Sequence, residues 1–357
     1  MAEWSAVTRS VAPKYIKGEI DATLRDRVIF AFIKKRGRMM YNQGGQDFRW
    51  DVRVQEHTVR THGYGSSIDF QGLDAWRQAS LVYNGYRDED IFHTKEVLAE
   101  QSNEAIVKRY SSVMKRMTEA MTNQLGEECY VDQSASGNSA RFHGLQSFTA
   151  RGTTAAGDIV GQPDDLYAGL DTDVGNFQTT WDDALTTQPN STISTDWPSG
   201  RGKAGYDAWS PRLVNWSSTG WGTGSAVAWE DNCTRALRRA HHWTRLTGGK
   251  TGMVDLVILH GDLYVGYLNK NEAKQRIELP VGSELLELGF RGVQQEGVEI
   301  TEDFDCPTNR GYGINFDKMT LRCMGPEMFM TSGPTFDINT DSFKFLLKIF
   351  ANFQFES

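Results

Sequence analysis

What the chain lacks bounds it first. No stretch of its 357 residues approaches the ~20 consecutive apolar side chains that a membrane-spanning helix needs. The opening Met1-Ala2-Glu3-Trp4 lacks the charged-then-apolar layout of a secretory signal. These absences predict a protein made and kept in a cytoplasm, where the Asn-x-Ser/Thr matches at Asn190, Asn215 and Asn232 carry no glycan. Cysteine is scarce and scattered: Cys129, Cys233, Cys306 and Cys323 form no C-x-x-C and have no histidine at metal spacing, so buried free thiols are expected in place of disulfides or a metal site. A surplus of positive charge is also missing. The formal net charge of −8 argues against a dedicated nucleic-acid binder. No internal repeat is present.

What is there describes a folded protein with 39% hydrophobic, 11% aromatic and 24% charged residues, long enough for two or more packed regions. The charge is uneven. Residues 1–40 carry nine basic side chains against four acidic ones, a surplus of +5, so the remainder carries −13. Such a basic segment can dock on the acidic body of a neighbouring copy or on nucleic acid, or be a solvated helix face.

Residues 1–20, with Pro13 and Gly18, read as an extended arm. A helix is expected next, capped by Asp21 or Thr23, with Leu24, Val28, Phe32 and Ile29 as its apolar stripe. Gly37 ends it after Lys34-Lys35-Arg36. From Phe48 the period becomes two: Phe48, Trp50, Val52 and Val54 alternate with polar residues, giving a strand with one apolar face. Its partner is expected at Gln78 to Tyr86, across the polar stretch Glu56 to Arg77, and a hairpin of this kind is marginal unless it lies on something.

A long helix is predicted from about Thr94 to Gly126, because Ile106, Tyr110, Val113, Met117, Met121 and Leu125 recur at steps of three and four. Residues 150–225, rich in Gly, Ser, Thr and Asp, read as a loop-rich insertion whose Trp181, Trp197, Trp209, Trp216 and Trp221 form an aromatic cluster of their own. A helix is expected over Ser225 to Leu246, a buried strand at Val254 to Leu259 and a helix from Asp262. Short strands follow at Phe290–Val293, Val298–Ile300, Tyr312–Asn315 and Met319–Cys323. The last strand, Phe343 to Phe355, is apolar at every odd position and must be paired inside a sheet.

Catalytic patterns are weak. Thr247-Gly248-Gly249-Lys250-Thr251 ends like a phosphate loop, but the first glycine of that motif falls on Thr244, and a helix precedes where one should follow. His241 and His242 are adjacent on a helix and point apart. Glu299, Glu302, Asp303 and Asp305 with exposed tryptophans would suit a carbohydrate-binding or carbohydrate-cleaving protein, or a Ca²⁺ site, yet they lie among ordinary turns.

The succession of arm, helix, hairpin, long helix, mixed region with insertion and β-rich end resembles the major capsid protein of tailed bacteriophages, the α+β Hong Kong 97-like fold. The most telling stretch runs from Phe290-Arg291-Gly292-Val293 through Asp303-Phe304-Asp305-Cys306-Pro307 to Gly311-Tyr312-Gly313-Ile314-Asn315. It is similar to the family's apolar-x-Gly-hydrophobic, acidic-x-x-x-Pro and Gly-aromatic-x-hydrophobic-Asn run. Val254 to Leu259 followed by a helix is similar to its axial-domain strand and helix.

The resemblance implies an N-terminal arm at 1–43, an extended loop at 44–93, a peripheral-domain spine helix at 94–127, an axial domain at 128–335 holding the insertion, and a peripheral strand at 336–357. It implies a structural protein, not an enzyme, with no cofactor or metal. Pentamers and hexamers would form an icosahedral head around double-stranded DNA, assembled in the host cytoplasm and residing in the virion. A nanocompartment shell of the same fold is the alternative. Lys34, Lys35, Arg36, Arg38, Phe48, Trp50, Val52 and Val54 are the expected intersubunit contacts, with the hairpin's apolar face buried between subunits. Portal protein, packaged DNA bound without sequence preference and a cement or decoration protein are the further implied partners. Some members weld subunits through a lysine in the extended loop and an asparagine near the C-terminus; residues 44–93 hold no lysine, so no such bond is expected despite Asn352. The arm starts close to Met1, which predicts a separate scaffolding protein.

Overall fold

The computed structural model describes residues 27–53, 61, 63–65, 76–99, 103–151, 159–161, 166–172, 209, 211–221, 228–248, 252–272 and 283–356. The expected arm, the caps Asp21 and Thr23, Val54, most of the stretch 56–77, Trp181, Trp197 and the Gly249–Thr251 end of the glycine-lysine motif lie outside these residues.

Helix α1 (Val28–Lys35) is buried from Val28 through Ile33. The expectation of a single stripe is corrected here, because six consecutive apolar residues cover every face of a short helix. Gly37 ends it with φ +65, a conformation that glycine adopts without a Cβ clash. Strands β1 (Met39–Met40), β2 (Asp47–Arg53), β3 (Trp76–Val82) and β4 (Asn84–His93) follow. The partner expected over Gln78 to Tyr86 is thus two strands. β3 pairs with β2 as a hairpin, Phe48 opposite Leu81 and Trp50 opposite Ala79, while β4 leaves it for another sheet.

The long helix comes in two described runs, α2 (Thr94–Ala99) and α3 (Asn103–Glu128). At 1.5 Å per residue α3 is about 39 Å long. Tyr110, Val113, Met114, Met117, Met121 and Leu125 are buried along it, and Thr118 and Thr122 turn their hydroxyls onto the carbonyls four residues back. After a single turn, α4 (Leu145–Phe148), come the short strands β5 (Val160–Gly161), β6 (Leu166–Tyr167), β7 (Leu170–Asp171) and β8 (Leu213–Val214). Helix α5 (Trp229–Gly248), strand β9 (Leu256–Leu259) and helix α6 (Gly261–Glu272) form the middle region, and the single turn α7 (Glu284–Glu287) leads to β10 (Val293–Gln295), β11 (Val298–Glu302), β12 (Gly311–Ile314) and β13 (Met319–Cys323). The chain closes with β14 (Met330–Asp337) and β15 (Ser342–Phe355).

Two sheets organise the core. In the larger, β15 pairs antiparallel with β4, β13 and β14, and β1 joins β13 in parallel. Its odd positions Phe345, Leu347, Ile349, Ala351, Phe353 and Phe355 are buried, as the alternation requires, and Tyr110 of α3 packs on Phe345 with ring centroids 5.2 Å apart. The smaller sheet has the order β10-β11-β9-β12, with β11 parallel to β9 and both edge strands antiparallel to their neighbours. Its Leu256 and Ile258 share one apolar core with the larger sheet, and α1 contributes Phe32, stacked on Phe316 at 4.9 Å.

The insertion does not keep its tryptophans together. Trp209 is buried in the main core against Phe148 and Tyr167, whereas Trp221, also buried, packs with Ile159 and Ala236. All four cysteines are buried and free.

Candidate assembly surface

The basic cluster at the end of α1 meets acids of its own chain. Lys35 Nζ lies 2.6 Å from Glu287, and Arg36 reaches Glu284 at 3.0 Å, Asp317 at 3.4 Å and Asp255 at 3.8 Å. Arg38 donates to the Asp317 carbonyl, and Lys34 is half-buried beside them. One helix end thereby joins the start of β9, α7 and the turn before β13. Burial pushes the Asp255 carboxyl up, opposed by the Phe316 N–H it accepts and by Arg36. Lys35, Arg36 and Arg38 therefore have partners within their own chain, to which the buried apolar body of α1 brings them.

The hairpin face follows the same rule. Phe48 and Val52 are buried inside their own chain, Phe48 against Tyr83 at 5.0 Å and under the Arg322 guanidinium at 5.3 Å. Trp50 is partly buried, 6.3 Å from Tyr167. Ser80 of β3 donates its N–H to the carbonyl of Ala168 in the β6–β7 turn, which braces the hairpin. The face expected to wait for a neighbour is already covered at Phe48 and Val52. The large apolar side chains open to solvent in β3 are Trp76, 58% exposed, and Val82, 57% exposed.

Two polar groups, Asn352 and Tyr167, hold the end of β15 to the rest of the subunit, a third, Glu128, holds the segment that follows α3, and periodicity did not mark them. The buried Asn352 accepts from His143 N–H at 2.8 Å and donates to the Val82 carbonyl at 2.9 Å. Tyr167 donates its hydroxyl to the Phe353 carbonyl at 3.0 Å and accepts from Phe355 N–H at 3.1 Å, and burial pushes its phenol far above the usual range. Glu128, fully buried at the end of α3, accepts from Arg141 Nε at 2.7 Å and from Phe142 N–H at 3.0 Å. A polar residue among apolar ones in a buried strand is the one signal that could have found Asn352; Tyr167 lies in a stretch without period, and Glu128 is a charged residue one step beyond the apolar stripe of α3.

The acidic run is structural as well. Asp303 accepts from the buried Tyr130 hydroxyl at 2.7 Å, Asp305 pairs with Arg27, and Glu299 caps α7 through Leu285 N–H at 3.1 Å. Among the described residues no group of three or more His, Cys, Asp and Glu side chains is arranged to hold a metal, and no helix is long and apolar enough to cross a membrane. His241 is half-buried and His242 exposed, so the two do point apart.

No protein-family model matches the sequence, and no curated protein matches it either. Among solved structures, a chain of the cyanophage A-1(L) capsid asymmetric unit superposes with a TM-score of 0.56 at 13% identity, over 90% of this chain and 87% of that one. The chain has a phage capsid-protein fold. This is the α+β Hong Kong 97-like architecture. The capsid of Myoviridae phage XM1 aligns over 91% of this chain and 87% of its own at 15% identity, TM-score 0.46. The capsid of an empty GTA particle aligns over 91% and 87% at 8% identity, TM-score 0.47. Within the capsid fold, β15 and α3 form the scaffold on which hairpin, insertion and smaller sheet are mounted.

Proposed function

We infer that this chain is the major capsid protein of a tailed bacteriophage, a structural subunit that assembles as pentamers and hexamers into an icosahedral head around double-stranded DNA. The observation that carries this reading is a capsid fold over nine-tenths of the chain. Residues 1–43 act as the arm, 44–93 as the extended loop, 94–127 with 336–357 as the peripheral domain, and 128–335 as the axial domain. Assembly takes place in the host cytoplasm with a scaffolding protein and a portal, a cement protein adds to the finished shell, and DNA is held without sequence preference.

The intersubunit contacts need restating in terms of surface. With Phe48 and Val52 covered inside the subunit, the exposed Trp76 and Val82 are the large apolar side chains of the described hairpin strands that can meet a neighbour. Many weak contacts of this kind suffice when a closed symmetric shell makes them act together. Replacing Trp76 with glutamate should abolish large assemblies in sedimentation velocity while leaving denaturant unfolding of the subunit unchanged. Normal assembly of that variant would remove the hairpin from the interface, and a chain that never sediments above monomer under any condition would remove the capsid reading.

A further inference from the structure

β12 is an edge strand with unusual chemistry. The His260 N–H donates to the Arg310 carbonyl, which sets the phase of the β12–β9 ladder: Tyr312 and Ile314 bond to β9, while Gly311 and Gly313 turn their N–H and C=O groups away from it. Among the described residues no strand takes those groups on the far side. Both outward-bonding positions are glycine, which leaves the backbone bare where another strand would approach.

Beside this edge lies a cavity of about 1020 Å³ lined by all of β12, by α5 and by the segment around β8. That is the size of a ligand pocket. Trp209, His241 and Gln295 are among the residues of its wall. The described lining is positive, five arginine and lysine side chains, Arg212 and Arg310 among them, against two glutamates, in a protein whose net charge is −8. Among the described residues, the acidic strands are committed elsewhere: β4 is paired with β15, and β11 is held between β10 and β9.

We propose that the β12 edge and the cavity beside it form a docking groove for an extended acidic segment of a partner polypeptide, which adds to the smaller sheet as a fifth strand. Backbone groups of Gly311 and Gly313 supply the strand pairing, and the cationic lining selects acidic side chains. This groove lies apart from the contacts proposed above for shell closure, so it succeeds or fails independently of the capsid reading.

The test uses the full-length protein and a capped peptide of about eight residues alternating aspartate with valine, long enough for one strand. Bound peptide should slow amide hydrogen exchange at Gly311 and Gly313. Methylating the peptide amides that face β12 should weaken binding about tenfold, the value of two lost hydrogen bonds. Lysine in place of aspartate should also weaken it, and Arg310→Glu with Arg212→Glu should reverse that preference, a result that requires a folded groove. Binding that survives N-methylation, or a lysine peptide bound equally well, overturns the proposal. So does slow exchange at both glycines before peptide is added: independence of protein concentration would mean the chain covers its own edge, and dependence would mean a second copy does.

Discussion

Replacing Asn352 with leucine keeps the branching and number of side-chain heavy atoms and removes the polar clasp at the end of β15. Two long-range bonds disappear, His143 N–H to Oδ1 at 2.8 Å and Nδ2 to the Val82 carbonyl at 2.9 Å, together with the local bond from Phe353 N–H. Asn352 is 0% exposed, so water has little access to the N–H groups it leaves, whereas Val82 is 57% exposed and its carbonyl can turn to water. A buried backbone group left without its partner costs about 1–3 kcal/mol, so the His143 and Phe353 N–H groups together give about 2–6 kcal/mol, with the solvent-reachable Val82 carbonyl adding little. Leucine recovers a small part through added apolar burial. The expected net loss is therefore about 2–5 kcal/mol, a large share of the stability of an ordinary domain. Urea unfolding followed by tryptophan fluorescence measures it, as a lower midpoint at constant m-value. A loss below about 1 kcal/mol would refute the reasoning, because it would mean that the bonds contribute no more than an exposed pair.

Tyr167→Phe strands the Phe353 carbonyl and the Phe355 N–H, so it should cost about 1–3 kcal/mol in the same assay. His143 is held neutral, its pKa lowered to about 4 by burial despite nearby Asp132. The unfolded chain takes up that proton near 6.5, so stability is intact above that pH and falls by about 3 kcal/mol as pH drops toward 4; His143→Leu should remove that part of the acid slope. Glu284→Gln with Glu287→Gln should destabilise by about 0.2–1 kcal/mol per pair at low salt, and by less in 1 M NaCl, since these carboxylates are 37% and 58% exposed. Boiled, denatured particles should run as monomers on a gel, because residues 44–93 contain no lysine and Asn352 is buried in its own subunit. A ladder of covalent multimers would contradict this.

The elements legible beforehand were those with sustained period. The odd-position alternation of β15 and the three-and-four stepping of α3 each report burial of one face, which is what periodicity encodes. Where burial is not one-sided the signal fails. The stripe expected on Leu24, Val28, Phe32 and Ile29 overlaps an unbroken apolar run, Val28 to Ile33, and such a run means burial all round. β14 was not recognised as a strand because Gly333-Pro334 interrupts it, at the place where its register with β15 shifts. The passage from β3 to β4 was invisible since alternation continues through Tyr83 while the pairing partner changes.

Intersubunit residues were harder still. Charge and apolar faces identify what must be covered, and they do not say by which copy. Lys35, Arg36 and Phe48 have that character and are satisfied within the chain, whereas Trp76 and Val82 belong to a strand whose exposed face looks unremarkable in sequence.

Electron microscopy of the expressed full-length protein, with and without a co-expressed scaffolding protein, tests the central claim most directly. The account predicts pentamers, hexamers or closed icosahedral shells. A stable monomer that forms no shell under either condition would contradict it.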